Sequence, residues 1–374
     1  MKLGTISGIV IKLHFSTLLI VGLVGFSAAT FFLSQVPNAS LTDIIIVGVL
    51  NGIIILVSIL IHELFHSITA QRYGLTVSEI ELYLFGGVSK ILDDPKTPKS
   101  EFIISGIGPL SSLVLGIFFF IALIFTPSSV PAWLSTTLFY SGISNIALGF
   151  FNLLPAFPMD GGRVLRAYLW RKRNNIISAT KTASRIGTFI GYSLMVYGVV
   201  QILFLGLLGG FWLIIMGSFL SNAAKKSYIQ TVNEVTLSKI NIKDIIGARR
   251  LGIPFDLPIS DAIRDYFMTY RRSFFPVIRG EEITGIIHFE DIKKIPIEQR
   301  SRFIVGYAER SLSEFPYIYE EGSGKDALRK LIEMKQLPHV IIIRKKLDNE
   351  ITGMISELDL FSAIKFCQLH PGTC

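Results

Sequence analysis

Cysteine is nearly absent from this sequence: Cys367 and Cys374 are the only two, both at the C-terminal end. That scarcity excludes a disulfide framework and any cysteine-based zinc site. Charge is scarce too, at 17% of 374 residues against about a quarter in soluble domains, which excludes an ordinary cytosolic globule. The shortage is uneven. Residues 1–226 hold 23 charged side chains, whereas the remaining 148 residues hold 41. The first part has the composition of a membrane protein and the second that of a soluble one. Of the net charge of +8, +7 belongs to the first part, so the excess reflects membrane topology. At +1, the soluble part has no basic face for a phosphate backbone, and nucleic acid is not an expected partner.

Uncharged runs of about 20 residues can cross a hydrocarbon core as helices. Such runs cover 13–36, 44–61 with a polar continuation to about 70, 102–125 and 132–159. The stretch 186–224 is too long for one crossing and breaks at Gly206 to Gly210, so six spans are expected. The first run is too long for the apolar core of a signal peptide and is taken as a retained span. Lysine and arginine gather after every even-numbered crossing: Arg72, Lys90, Lys96 and Lys99, then seven residues from Arg163 to Arg185, then Lys225 and Lys226. The loops at the other ends carry none. By the positive-inside bias, this is a multi-pass protein of the cell membrane, surrounded by lipid, with both termini and the soluble part in the cytoplasm.

Ionisable groups inside a span are costly and point to function. The second run carries three of them, in Ile61-His62-Glu63-Leu64-Phe65-His66. On a helix, His62 and His66 share a face about 6 Å apart. That spacing lets two ring nitrogens reach one Zn²⁺ at about 2.0–2.1 Å. Glu63 then stands beside the metal as general base toward water. A catalytic zinc takes a third protein ligand and keeps one position open. His14, His288, His339 and His370 lack the helical partnership, and the better candidate is Asp160, in Phe157-Pro158-Met159-Asp160-Gly161-Gly162. Spans two and four run in the same direction, so His62, His66 and Asp160 fall at one cytoplasmic depth. An Asp between prolines and glycines suits unwound backbone lining a cavity. It also suits the cap of a following helix, 161–171; equal depth with the histidines favours the metal.

These residues resemble the site-2 protease family of intramembrane zinc metalloproteases. The resemblance covers residues 1–226 and rests on His62-Glu63-x-x-His66 and Asn152-x-x-Pro155-x-x-Pro158-x-Asp160-Gly161. Gly86-Gly87 after Leu82-Tyr83-Leu84-Phe85, and Gly108-Pro109, add to it. It implies a zinc endopeptidase with His62, His66 and Asp160 as ligands and Glu63 activating water. Asn152 would orient substrate or stabilise the oxyanion; an interhelical hydrogen bond is the other role open to it. The substrate would be a membrane-spanning protein, locally unwound and cut near the cytoplasmic side. Partial alternation over 75–92 predicts short strands beside the zinc. Their edge could hold substrate by strand addition, as the family implies.

The soluble part contains a repeat. Glu282-Ile283-Thr284-Gly285-Ile286-Ile287-His288-Phe289-Glu290-Asp291 matches Glu350-Ile351-Thr352-Gly353-Met354-Ile355-Ser356-Glu357-Leu358-Asp359, and Asp261-Ala262-Ile263-Arg264 matches Asp326-Ala327-Leu328-Arg329. Each copy reads helix, strand, turn, strand, helix, with a longer turn in the second. This resembles a tandem pair of CBS domains, over 240–297 and 303–366, after a linker at 227–239 and before a tail at 367–374. The resemblance implies binding of ATP or another adenine nucleotide, with Ser356 and Asp359 as contacts in copy two and Asp291 in copy one. His288 replaces the hydroxyl of the first copy. A structural or dimerising module without ligand is the other role open to the pair. The expected fold is thus an α-helical polytopic membrane protein with a short β element, joined to a soluble α/β module. A CBS-gated transporter is disfavoured because runs three, five and six carry no ionisable group. An inactive protease-derived scaffold is disfavoured because Glu63 is present.

Overall fold

In a computed structural model the chain divides into two compact units, Met1–Ile229 and Gln230–Cys374. The structure describes all residues except 84–85, 92–94, 207–208, 246–250, 281, 335–337 and 371–374. Leu84, Phe85 and Cys374, which figured in the sequence analysis, therefore lie outside the described residues, as does part of the Gly206 to Gly210 break.

The first unit begins with a β-hairpin that the hydrophobic runs did not predict. Strands β1 (Lys2–Ile6) and β2 (Ile9–Leu13) join through Ser7 and Gly8, whose φ angles of 51° and 79° give the twist a tight hairpin needs. Strand β2 runs parallel to β3 (Val77–Tyr83), and β3 is antiparallel to β4 (Gly86–Ile91), making a sheet in the order β1-β2-β3-β4. The alternate residues Ile9, Ile80 and Leu82 are fully buried. They pack with Ile55, Ile59 and Ile104, so the sheet is laid on helices that carry the candidate site.

Among the described residues the helices of this unit are α1 (Thr17–Gln35), α2 (Leu41–Arg72), α3 (Pro98–Ile124), α4 (Ala132–Asn152), α5 (Asp160–Arg173), α6 (Ile176–Leu205) and α7 (Gly210–Lys239), the last running past the unit boundary. Among the described residues, α1, α2, α3 and α6 are long and apolar enough to cross a membrane. Helices α4 and α7 stand where two further spans were expected but are more polar. Thr136, Thr137, Ser141, Ser144 and Asn145 interrupt α4, and α7 continues through Lys225, Lys226 and Glu234. Leu18, Phe26, Ile45, Ile53 and Phe118 project outward from α1–α3, a surface suited to hydrocarbon rather than water. The uncharged run 132–159 is not one helix. Helix α4 ends at Asn152, before Pro155 and Pro158, and a non-helical segment leads to α5.

In the second unit, the first copy comprises helical turns Ile259–Ala262 and Ile263–Met268, strands Phe274–Arg279 and Glu282–His288, and helix Phe289–Lys293. The second comprises Gly324–Glu333, Val340–Arg344, Ile351–Ser356 and Glu357–Leu369 in the same order. The strands of each copy form an antiparallel hairpin, joined by residues 280–281 in the first and by the longer 345–350 in the second. Separate apolar cores, one around Phe275 and Ile287 and one around Ile341 and Ile355, support the copies. Ile286 of the first packs with Val340 and Ile342 of the second. Residues 227–239, read as a linker, are helical and belong to α7.

Candidate metal centre

His62 and His66 lie on the buried stripe of α2, which also carries Asn51, Ile55, Ser58 and Ile59. Neither ring is free to turn. His66 Nδ1 is 2.6 Å from the main-chain oxygen of Ile104 on α3. A carbonyl only accepts, so Nδ1 carries the proton and Nε2 of the neutral ring keeps its lone pair. His62 Nδ1 meets Ser112 Oγ, also on α3, at 2.9 Å. Both Nε2 atoms therefore face inward, 3.1 Å apart.

The third corner comes from α5. Gly161 and Gly162 let the start of α5 press against the backbone of Leu153 and Ala156, where a Cβ at either position would overlap main-chain atoms. This contact turns Asp160, the first residue of α5, back toward α2. Met159 is the N-cap and makes no side-chain cap bond, while Asp160 Oδ2 lies 3.1 Å from Nε2 of His62 and 3.1 Å from Nε2 of His66. Two ring nitrogens and a carboxylate oxygen, all electron-rich, thus form a triangle with 3.1 Å edges. Three ligands at about 2.0–2.1 Å in tetrahedral array would stand about 3.3 Å apart. The donor set, its spacing and its burial fit Zn²⁺ with one position open.

Glu63 points to the other flank. Its Oε2 accepts a hydrogen bond of 2.8 Å from Ser89 on β4, and Ser67 donates to Ser89 in turn at 3.0 Å. His62, Glu63, Asn152 and Asp160 line one cavity of about 700 Å³, otherwise walled by apolar residues of α1, α4, α6 and α7, such as Leu23, Leu194, Trp212 and Phe219. Asn152 spends one amide proton on Leu148 O, 2.9 Å away on its own helix. Ser89, Ser112 and the Ile104 carbonyl were not anticipated. Serines are too common to stand out, and a main-chain carbonyl has no sequence signal.

The candidate nucleotide contacts lie in the second unit. Ser356 and Asp359 bond reciprocally as a capping box on helix Glu357–Leu369, with Ser356 Oγ donating to Asp359 Oδ2 at 2.7 Å. His288 caps the matching helix of the first copy, its Nδ1 accepting from Glu290 N at 3.2 Å, so it replaces the serine in this local role. Asp291 is held by two hydrogen bonds from Arg310, of 2.6 and 2.7 Å, and one from Lys294 of 2.7 Å. It lines a cavity of about 400 Å³ with Arg310, Glu309 and Tyr307.

Residues 51–132 and 127–198 match Peptidase family M50. Rip3 of Mycobacterium tuberculosis is 32% identical over 316 residues, which span 84% of this chain and 80% of that protein. The chain belongs to peptidase family M50, the site-2 proteases. Zinc metalloprotease MJ0392 of Methanocaldococcus jannaschii is 27% identical over 98% of this chain and 97% of its own length. The solved site-2 protease of the same organism is 31% identical, covers 61% of this chain and 94% of its own, and superposes with a TM-score of 0.43. The CBS domain of a bacterial CNNM/CorC family Mg²⁺ transporter, solved in complex with ATP, is 16% identical over 36% of this chain and 92% of its own, with a TM-score of 0.30. As an M50 peptidase, the chain is a zinc metalloprotease and a membrane protein, and its substrate is a protein.

Proposed function

We propose that this M50 peptidase is an intramembrane endopeptidase that cuts membrane-spanning protein segments near the cytoplasmic face, with one zinc per chain held by His62, His66 and Asp160. The observation that carries this is the 3.1 Å triangle of His62 Nε2, His66 Nε2 and Asp160 Oδ2, set beside Glu63 in a largely apolar cavity. Zinc, when bound, supplies Lewis-acid polarisation of the reacting water and of the scissile carbonyl. Glu63, its carboxylate steadied by Ser89, takes the proton from that water and returns it to the departing amine. Asn152, at the cavity wall, orients the substrate or donates the second proton of its amide to the oxyanion. Among the described residues strand β4 is the outer strand of its sheet, and that edge suits the addition of an unwound substrate segment next to Glu63.

We further propose six crossings, α1–α4, α6 and α7, with both termini and the second unit cytoplasmic. The lysine and arginine distribution supports this orientation. In the second unit, Asp359, Ser356 and Asp291 are the proposed contacts for an adenine nucleotide such as ATP, through which the repeat pair would regulate cleavage, and the pair is also the proposed homodimer contact. The sequence repeat and the cavity beside Asp291 support this assignment.

Glu63→Gln is the test of the chemistry. It keeps shape but loses the base, so it should retain zinc by metal analysis and cleave a membrane substrate about 10²–10⁴-fold more slowly. His66→Ala and Asp160→Ala should lose zinc while remaining membrane-inserted and monodisperse. Near wild-type turnover in Glu63→Gln, or full zinc in both ligand variants, would overturn the assignment.

A further inference from the structure

A buried ion pair lies outside the cavity, between the two helices that flank the metal triangle. Glu101, in the first turn of α3, is 1% exposed, and Arg166, in the second turn of α5, is 9% exposed. Arg166 donates from Nε and Nη2 to Glu101 Oε1, and its guanidinium stands 5.2 Å from the ring centre of Phe157. Taking a full ion pair out of water is expensive, and apolar replacements of similar volume often match its stability. A pair kept in such a place calls for a role other than stability.

Both partners stand close along the chain to the metal triangle. Glu101 precedes Ile104 by one helical turn, and the Ile104 carbonyl is the group that holds His66. Arg166 follows Asp160 by six residues on α5, less than two turns. Six residues place the two side chains about 120° apart around the helix axis. Helix α5 has no side-chain cap at Met159 to fix its start. An arginine pinned to α3 on one side and laid against Phe157 of the preceding segment therefore prevents α5 from rolling, and rolling would swing Asp160 away from the histidines.

We propose that Glu101 and Arg166 are positioning residues: their buried ion pair clamps α5 to α3 so that Asp160 Oδ2 completes the triangle with His62 and His66. The clamp rests on the proposed role of Asp160 as a metal ligand. Full-length protein loaded with zinc and challenged with a chelator tests both, with Asp160→Ala as the reference. The double variant Glu101→Met/Arg166→Met removes both charges and keeps apolar bulk. It should release zinc roughly 10–100-fold faster than wild type, the usual scale for groups that orient a ligand. Its kcat should fall with KM unchanged, while it elutes as a folded protein. Arg166→Lys keeps the charge but loses the two-donor fork, and should fall between the two. If Asp160→Ala loses zinc while the double variant and Arg166→Lys keep wild-type release and kcat, the clamp is overturned and the ligand set stands. If Asp160→Ala keeps its zinc, the ligand assignment fails and the clamp fails with it. Should the double variant not fold, Arg166→Lys decides on the same terms.

Discussion

Ser89 donates its hydroxyl proton to Glu63 Oε2 at 2.8 Å, tying the outer strand of the sheet to the glutamate of α2. A hydrogen bond to a charged group is worth about 1.5–3 kcal/mol, so its loss frees the carboxylate to leave its working position. Ser89→Ala should lower kcat about tenfold and leave zinc content unchanged, as read by turnover and metal analysis on one preparation. Ser89→Thr, which restores the hydroxyl, should recover most of the rate. Zinc loss in Ser89→Ala would show that the serine supports the metal rather than the base.

The two histidines are held by different kinds of partner, and this predicts different sensitivity. His62 relies on the Ser112 hydroxyl, whereas His66 relies on the main-chain oxygen of Ile104, which no side-chain substitution removes. Ser112→Ala should weaken zinc binding roughly 10–100-fold. Ile104→Val keeps the carbonyl and should hold zinc as wild type does. Competition with a zinc chelator reads both.

Gly108 and Gly106 offer a matched pair on α3. A Cβ at Gly108 would fall within the His66 imidazole, while one at Gly106 meets nothing within 4 Å. Gly108→Ala should therefore displace His66 and abolish zinc retention. Gly106→Ala should retain full zinc and activity, with helix stability changed by no more than about 1 kcal/mol. Equal zinc content in the two variants would contradict the packing around His66.

The ion pair between Asp291 and Arg310 predicts an acid-sensitive element in the second unit. Burial pushes the Asp291 carboxyl up, but hydrogen bonds from Arg310 and Lys294 outweigh it and hold the group below the ordinary carboxylate range. With the folded value depressed, the stabilisation is complete above the unfolded value of about 3.9 and drains away as pH falls through the folded one. In the intact chain, Arg310→Met should speed hydrogen exchange over residues 285–293 at neutral pH. The difference from wild type should shrink as Asp291 becomes protonated; a difference independent of pH would place the effect elsewhere.

What could be read from the residues follows from how unusual each signal is. Two histidines and a glutamate inside an apolar run have few alternative explanations, so His62, Glu63 and His66 stood out at once. Asp160 could be connected to them because charge asymmetry gave the direction of each run. The limits of the runs were less legible. Hydropathy carries no mark of Pro155 ending α4 early, or of Leu13 closing a strand and not opening the first span. The hairpin at 2–13 did have a signal, Ser7-Gly8 between alternating residues, which the strongly apolar segment after it obscured. Glu101 fell at the edge of a run, and only the structure brings it to Arg166, 65 residues away.

The triangle also has a consequence for synthesis. Asp160 follows His62 by 98 residues, and only after the segment 153–159 has folded back can α5 supply the last corner. A nascent chain that has emerged only through α3 already carries His62, Glu63 and His66. It lacks Asp160, the carboxylate proposed as the third ligand. On the ligand set proposed above, the centre is therefore incomplete until α5 is in place, and its assembly waits on the corner that is made last.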